Sequence, residues 1–302
     1  MSQYGARVRI DLHTHSRVSD GSDPPAALVR AAHQAGLDVL GLTDHDTSAG
    51  WAEAAETARD VGITLVRGME ISTELRRRSV HLLAYLPDPT YPPLVAHLDR
   101  VLGGRNDRVP RILEALRDRV GIADVTEDDV RRLAGGTAAT GRPHIADALV
   151  RAGHARDRDD AFRRLLSPGR PGYVHRYAAP LPEMVRVVRD AGGVPVLAHP
   201  WGRLHRSALT PDDIGALAEL GLAGLEVDHE DHDPQVRAEL RGLAAELGLL
   251  VTGSSDHHGT GKVGHALGCN TTDPAHYERL LAAARDAADA SGRTTPEVVG
   301  AA

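Results

Sequence analysis

Apolar and polar positions follow two rhythms along this chain. Short runs of period two, or of nearly unbroken apolar character, read as strands: VRIDLH (8–13), VLGLT (39–43), ITLVRGMEI (63–71) and VHLLAYL (80–86). Between them lie stretches of helical period. Pro24 and Pro25 open a helix that Gly36 stops, and a second helix fits 48–60. From about residue 91 to 176 the strands cease. Val109, Ile112, Leu113, Leu116 and Val120 keep helical spacing, and shorter helices fit 126–134, 143–152 and 158–166. Alternation then resumes. Helices at 181–191, 211–220 and 234–247 lead into VPVLAH (194–199), AGLEVD (223–228) and LLVTGSSD (249–256); Val236, Leu240, Leu243, Ala244 and Leu247 make one apolar stripe. A last helix covers about 274–288, and 291–302 reads as a flexible tail.

Seven strands, most followed by a helix, predict an α/β fold with a parallel barrel or a doubly wound sheet. Residues 1–90 and 177–290 would form it, and 91–176 would be a helical insertion at one end. The 302 residues suffice for a sizeable core. No apolar run approaches the roughly 18 residues of a membrane span, and the first residues hold no apolar signal core. Cys269 is the one cysteine, which excludes an internal disulfide and makes a reducing cytoplasm the expected compartment.

Charge adds a contrast. The net charge is -7, which argues against a stable nucleic-acid complex. Residues 100–176 nevertheless hold 16 Arg and no Lys against 11 Asp and Glu, a local net of +5. Solvated helix faces would explain this plainly. A basic lid over a phosphate site would explain it too, since guanidinium forks match phosphate oxygens.

The strand ends carry the chemistry. The first ends in His13 and His15, the second in Asp44 and His45, the third in Glu70; the fourth begins at His81, the fifth ends in His199, and the seventh in Asp256, His257 and His258. In βα barrels functional groups gather at the C-terminal strand ends. Side chains at i and i+2 on a strand face one way, so His13 with His15, and Asp256 with His258, can each grip one centre. Taken singly these residues have ordinary readings. One HxH pair is weak, His81 suits a core histidine, and Asp44 and Asp46 suit helix capping. His33, His97 and His154 read as surface or core, and His205, His265 and His276 stay unassigned. Coincidence at six strand ends is improbable, and imidazole with carboxylate suits Zn, Mn or Fe. The groups exceed the needs of one ion; two or three sharing a bridging carboxylate would use them all.

HTH followed by Asp20, LTDH (42–45), GME (68–70), His81, AHP (198–200) and SDHHG (255–259) together resemble the PHP (polymerase and histidinol phosphatase) superfamily over nearly the whole chain. The resemblance implies a distorted seven-stranded (βα)7 TIM-like barrel and three divalent ions (Mn, Zn or Fe). It gives the first to His13, His15, Glu70 and Asp256, the second to Glu70, His81 and His199, and the third to Asp20, His45 and His258. His257 should then point away. A metal-bound water near Glu70, Asp256 and His199 is the expected nucleophile, attacking a phosphate ester. TGRPHIADALV (140–150) and RPGYV (170–174) are similar to the branch of nucleoside 3',5'-bisphosphate phosphatases and 5'-to-3' exonucleases of short RNA.

Within the insertion, Arg142 and His144 are candidates for a second phosphate, with Arg105 and Arg108 beside them. A helix N-terminus starting at Pro143 and arginines pointing to solvent are the plainer alternative. Tyr173 would stack on a base or pack insertion to barrel. His229 and His232 would protonate a leaving group or lie in a solvated acidic loop. The expected partner is a small phosphorylated nucleotide or a short RNA end, without a membrane. The rivals are a phosphatase of another metabolite such as histidinol phosphate, a non-catalytic metal-binding domain, and a nuclease of long DNA, which the net charge disfavours.

Overall fold

The computed structural model describes residues 8–137, 139–202 and 206–300. The chain runs β1 (Ile10–Thr14), α1 (Pro25–Gln34), β2 (Val39–Leu42), α2 (Trp51–Val61), β3 (Thr64–Leu75) and β4 (Arg78–Tyr85). The helical segment follows as α3 (Pro92–Asn106), α4 (Arg108–Val120), α5 (Glu127–Ala134), α6 (Arg142–Arg151) and α7 (Arg158–Ala161), which passes into a π-helical turn, Phe162–Leu166. Then come β5 (Ala179–Pro180), α8 (Leu181–Asp190), β6 (Val194–Ala198), α9 (Pro211–Glu219), β7 (Gly224–Asp228), α10 (Pro234–Glu246), β8 (Leu250–Gly253) and α11 (Pro274–Ser291). None of these helices is long and apolar enough to cross a membrane.

The strands form one sheet in the order β1-β2-β3-β4-β6-β7-β8, with β5 paired to the far end of β3. The sheet curls into a distorted barrel, and the seam between first and last strands is bridged where Thr14 pairs with His257. The expected parallel sheet needs one correction. β4 is antiparallel to both neighbours, because β3 and β4 join through a tight turn at Arg76 and Arg77, too short for the crossover that parallel strands require. The two-residue β5 has no periodicity to betray it. The expected tail also needs correcting: Val299 is buried and pairs with Leu65, so this end of the chain lies along β3.

Two faces of the strands bury two apolar sets. Leu83, Tyr85, Val196 and Leu250 point into the barrel with Ile10 and Leu12, and Tyr277 and Leu280 of α11 join them. Their neighbours in sequence, Leu82, Ala84 and Leu197, point outward under α1, α2, α8, α9 and α10. Helices α4 to α7 and the π-helical turn bury a third set, among them Ile112, Leu116, Val130, Ile145, Leu149 and Leu166. Local chemistry sets the helix ends: Thr126 and Asp129 close a reciprocal capping box on α5, and Thr210 with Asp213 does the same on α9.

Candidate metal centre

All nine residues expected at the centre converge at one end of the barrel, and eight of them are buried; the ninth, His81, is partly exposed. A bulge re-aims the end of β1, where register slips between Asp11 and Thr14. It brings His13 Nε2 and His15 Nε2 to 3.0 Å from each other. Glu70 Oε2 lies 3.4 and 3.2 Å from these nitrogens, and Asp256 Oδ1 lies 3.5 and 3.4 Å away. Ligands about 2.0–2.1 Å from a tetrahedral ion are separated by about 3.3–3.4 Å. The four atoms therefore have the spacing of a coordination shell. Asp256 Oδ1 is buried and accepts no hydrogen bond, which suits a metal ligand.

Glu70 has its other oxygen, Oε1, 2.6 Å from His81 Nδ1 and 3.1 Å from His199 Nε2. The reversal of β4 explains how a residue near the start of a strand reaches this end: His81 stands opposite Ser72 and Ala198, beside Glu70 and His199. Asp20 completes a third group, 3.4 Å from His258 Nε2 and 3.6 Å from His45 Nε2. Gly21 lets this turn fold over the end of β1, since a Cβ there would overlap the His15 carbonyl. Asp44 stays out of the centre. Its carboxylate accepts from Ser16 N, Ser16 Oγ and Ser19 Oγ at 2.6–2.8 Å and so holds the turn that presents Asp20. The strand-face argument for Asp256 and His258 is corrected, because β8 ends at Gly253 and both lie on the loop beyond it. Asp256 and His199 hold left-handed backbone (φ 51° and 28°), a conformation that non-glycine residues adopt at a cost and that clusters at working sites.

Outer groups fix the imidazoles. Glu226, on β7, was not foreseen, although a lone carboxylate inside the apolar strand AGLEVD is the signal that would have found it. It is fully buried; Oε1 accepts from His13 Nδ1 and from Ser254 Oγ, while Oε2 accepts from His199 N at 2.9 Å. The Nδ1–H of His13 is thus engaged and Nε2 is left as a donor toward metal. His258 does likewise through its bond to Asp256 O. Burial would raise the carboxyls of Asp20, Glu70 and Asp256. The surrounding imidazoles, and Lys262 at Asp256, hold all three well below the usual range. Burial pushes His45 down to about 3 and His199 to about 4, keeping both neutral. Burial opposes protonation of His15 as well, yet Asp256 and Glu70 pull it up to about 9. Carboxylates and imidazoles packed this closely are what a shared cation holds together, and the donors are nitrogen and oxygen only. The residues fit divalent metal, held in several buried groups.

The remaining candidates divide. Arg105, buried, donates to Asp46 and Ser72 at 2.7–2.9 Å, which ties insertion to barrel. His144 caps α6, with Nδ1 accepting from Gly141 N. His229 is fully buried; Nδ1 accepts from Asp231 N, so Nε2 carries the proton toward Asp256 Oδ2 at 3.2 Å. His232 bonds Val227 O, and His257 turns away from the centre to His265 O. His276 accepts from Val251 N, His97 meets Tyr177 and Glu183, and His154 meets Asp124. His33 is exposed, and His205 lies outside the described residues.

Arg108, Arg142 and Arg176 lie next to the centre. They line a cavity of about 90 Å³ that reaches Asp20, His45 and His81. The rings of Tyr173 and Phe162 lie beside Arg142, and Tyr173 beside Arg108. Arg108 is buried and its Nε has no partner. Burial, Arg142 and Arg176 press Arg108 down to about 8; burial and Arg105 press Arg176 to about 9. A guanidinium keeps its proton in a protein, so an anion entering among these arginines would relieve the mutual repulsion. Arg176 is the one member that sequence reading missed, because it lies in an irregular stretch just before β5.

Comparison with known proteins agrees with this geometry. Residues 11–98 match the PHP domain. The chain is 35% identical over 265 residues to a 3',5'-nucleoside bisphosphate phosphatase of Chromobacterium violaceum, covering 86% of this chain and 91% of that protein. It is 35% identical over 261 residues to the 5'-3' exoribonuclease Rnm of Escherichia coli, covering 85% and 88%. A solved structure from Bifidobacterium adolescentis, assigned as a metal-dependent phosphoesterase, superposes with a TM-score of 0.86 at 37% identity, covering 93% of this chain and 98% of that one.

Proposed function

The chain belongs to the PHP domain family, and from that premise we propose that it is a metal-dependent phosphoesterase that removes the 3'-phosphate of nucleoside 3',5'-bisphosphates or 5'-end nucleotides of short RNA. The observation that carries the reading is the arginine cavity beside the Asp20, His45 and His81 face of the centre. Its volume of about 90 Å³ is well below the roughly 300–1,000 Å³ of a pocket enclosing a whole small molecule, so it suits a single terminal group. A substrate with two phosphates would place one there and the other at the centre.

On this reading three ions, Mn, Zn or Fe, would be held by His13, His15, Glu70 and Asp256; by Glu70, His81 and His199; and by Asp20, His45 and His258. Bound there, they supply Lewis acidity and water acidified to near neutral pH. The chain's own residues do the positioning. Glu226 fixes the His13 tautomer and the backbone of His199. Arg108, Arg142 and Arg176 anchor the remote phosphate and orient the ester, which converts binding into alignment. Arg105 keeps the insertion in register with the barrel through Asp46.

The test is phosphate release by metal-reconstituted enzyme from 3',5'-bisphosphoadenosine, AMP and histidinol phosphate, in Mn and then in Zn. Preference for the bisphosphate, with AMP as product, is expected. Equal rates on all three would reject the second-phosphate reading, and no turnover of any would favour a metal-binding domain without catalysis.

A further inference from the structure

Lys262 is the single lysine among the chain's 35 Lys and Arg residues. It sits on the short loop after His258, between Gly261 and Gly264 (φ 85°). The loop's base is pinned, since Thr260 N donates to Ser22 Oγ and Ser22 N donates to His258 O, both at 3.1 Å. At its tip Val263 is 88% exposed, yet Lys262 beside it turns inward, with its side chain 15% exposed.

The ammonium donates to Asp256 Oδ2. The same oxygen faces His229 Nε2, while Oδ1 faces His13 and His15. His229, Asp256 and His265 make a fourth group of metal-type donors, lying within 4.8 Å of one another. Here the cation is built into the chain. A compact ammonium fits such a site where the wide planar fork of arginine does not, which accounts for one lysine in a protein that otherwise uses arginine. An ammonium has three donors, and among the described residues Asp256 is its one hydrogen-bond partner. Two donors are left one carboxylate away from the first ligand group.

We propose that Lys262 is a substrate-contacting catalytic residue, donating to a phosphoryl oxygen of the ester at the centre from the β8 side, while the arginines hold the remote phosphate from the insertion. The proposal rests on the phosphoesterase reading above. A fixed positive charge there stabilises charge that develops on the phosphoryl oxygens.

A chain with one lysine allows a direct test that does not depend on turnover. Pyridoxal 5'-phosphate condenses with lysine amines, and borohydride fixes the product; peptide mapping separates Lys262 from the terminal amine. With the metal-loaded protein, saturating inorganic phosphate should slow modification of Lys262 at least 10-fold and leave the terminal amine unchanged. Lys262→Met should lower kcat/KM on phosphate esters at least 10-fold at unchanged metal content, and Lys262→Arg, whose planar fork does not fit the site, should restore little of it. Absence of protection overturns the proposal. So does a Lys262→Met protein whose activity falls only in proportion to lost metal, because the lysine then acts through Asp256 alone. Protection without turnover of any ester would keep the contact and reject the phosphoesterase reading; turnover without protection would do the reverse.

Discussion

Replacing Glu226 with glutamine tests how the outer groups support the centre. The substitution keeps size and shape, and removes one charge and one acceptor. In the native protein Oε1 accepts from His13 Nδ1 and Ser254 Oγ, and Oε2 accepts from His199 N. A glutamine amide offers one oxygen and one NH2 in those two places. If the oxygen faces His13, the NH2 meets the backbone N–H of His199, and a buried donor is left without an acceptor at a cost of about 1–3 kcal/mol. If the amide turns over, the NH2 faces His13 Nδ1 and drives the proton onto Nε2, the atom aimed at Glu70 and Asp256. His13 then cannot act as a ligand. Either choice is unfavourable, so metal affinity should fall about 10–100-fold, the usual scale for losing an outer partner of a ligating histidine. Competition against a chromogenic chelator measures that loss, and calorimetry measures the accompanying drop in Tm. Metal affinity within twofold of wild type, with unchanged Tm, would refute the reasoning.

Arg142→Ala should lower kcat/KM about 10–100-fold on 3',5'-bisphosphoadenosine, the scale of one charged hydrogen bond, and by less than about threefold on a simple monoester; equal losses on both would sink its role in reading a second phosphate. Arg108→Met should raise Tm, because it removes a buried charge whose Nε has no partner, while bisphosphate turnover falls; a lower Tm with unchanged turnover would show that Arg108 serves packing alone. Asp160, hydrogen-bonded to Arg164 and Arg163 and accepting from Arg156 N, has its carboxyl held down at about 2, against 3.8 ordinarily. A depressed folded value means that its stabilisation is present above about pH 4 and vanishes as pH falls toward 2. Asp160→Asn should therefore be less stable than wild type at pH 7, with the gap closing below pH 4 in denaturant titrations; a gap independent of pH would contradict the assignment.

Much of the centre was legible because its ligands sit where strand periodicity breaks. An imidazole or carboxylate at the end of an apolar run has few structural reasons to be there, and His13, His45 and His199 lie at such ends; Glu70 stands inside β3, which runs on to Leu75. Residues acting from inside a run were harder to see. Glu226 follows the strand rhythm and is betrayed only by its charge. The reversal of β4 was hidden, because alternation does not record strand direction, and the strands as read from the sequence, 63–71 and 80–86, left a longer gap than the two-residue turn at Arg76 and Arg77 that joins β3 to β4. Asp256 and His258 both reach the centre from the loop beyond β8, where Asp256 holds left-handed backbone, and they fall in different ligand groups, so the strand-face spacing was not what brought them there. Arg176 and Lys262 lie in irregular chain, where periodicity carries no information and tertiary contacts alone assign a role. The arginines were visible as a local surplus, but composition could not tell Arg105, which ties insertion to barrel, from Arg108, which faces the cavity.

The seam where Thr14 meets His257 gives the site a mechanical meaning. His13 and Asp256 are separated by about 240 residues of chain, and they meet where the sheet would otherwise have two unjoined edges. A cation gripping both sides is a fastener as well as a reagent. A nascent chain cannot complete it until the loop after β8 has been made, and a chain cut anywhere between them keeps its two pieces together only as firmly as packing and that ion allow. Loading should thus lock the first strand to the loop after the last, and protect both from amide exchange, long before any substrate arrives.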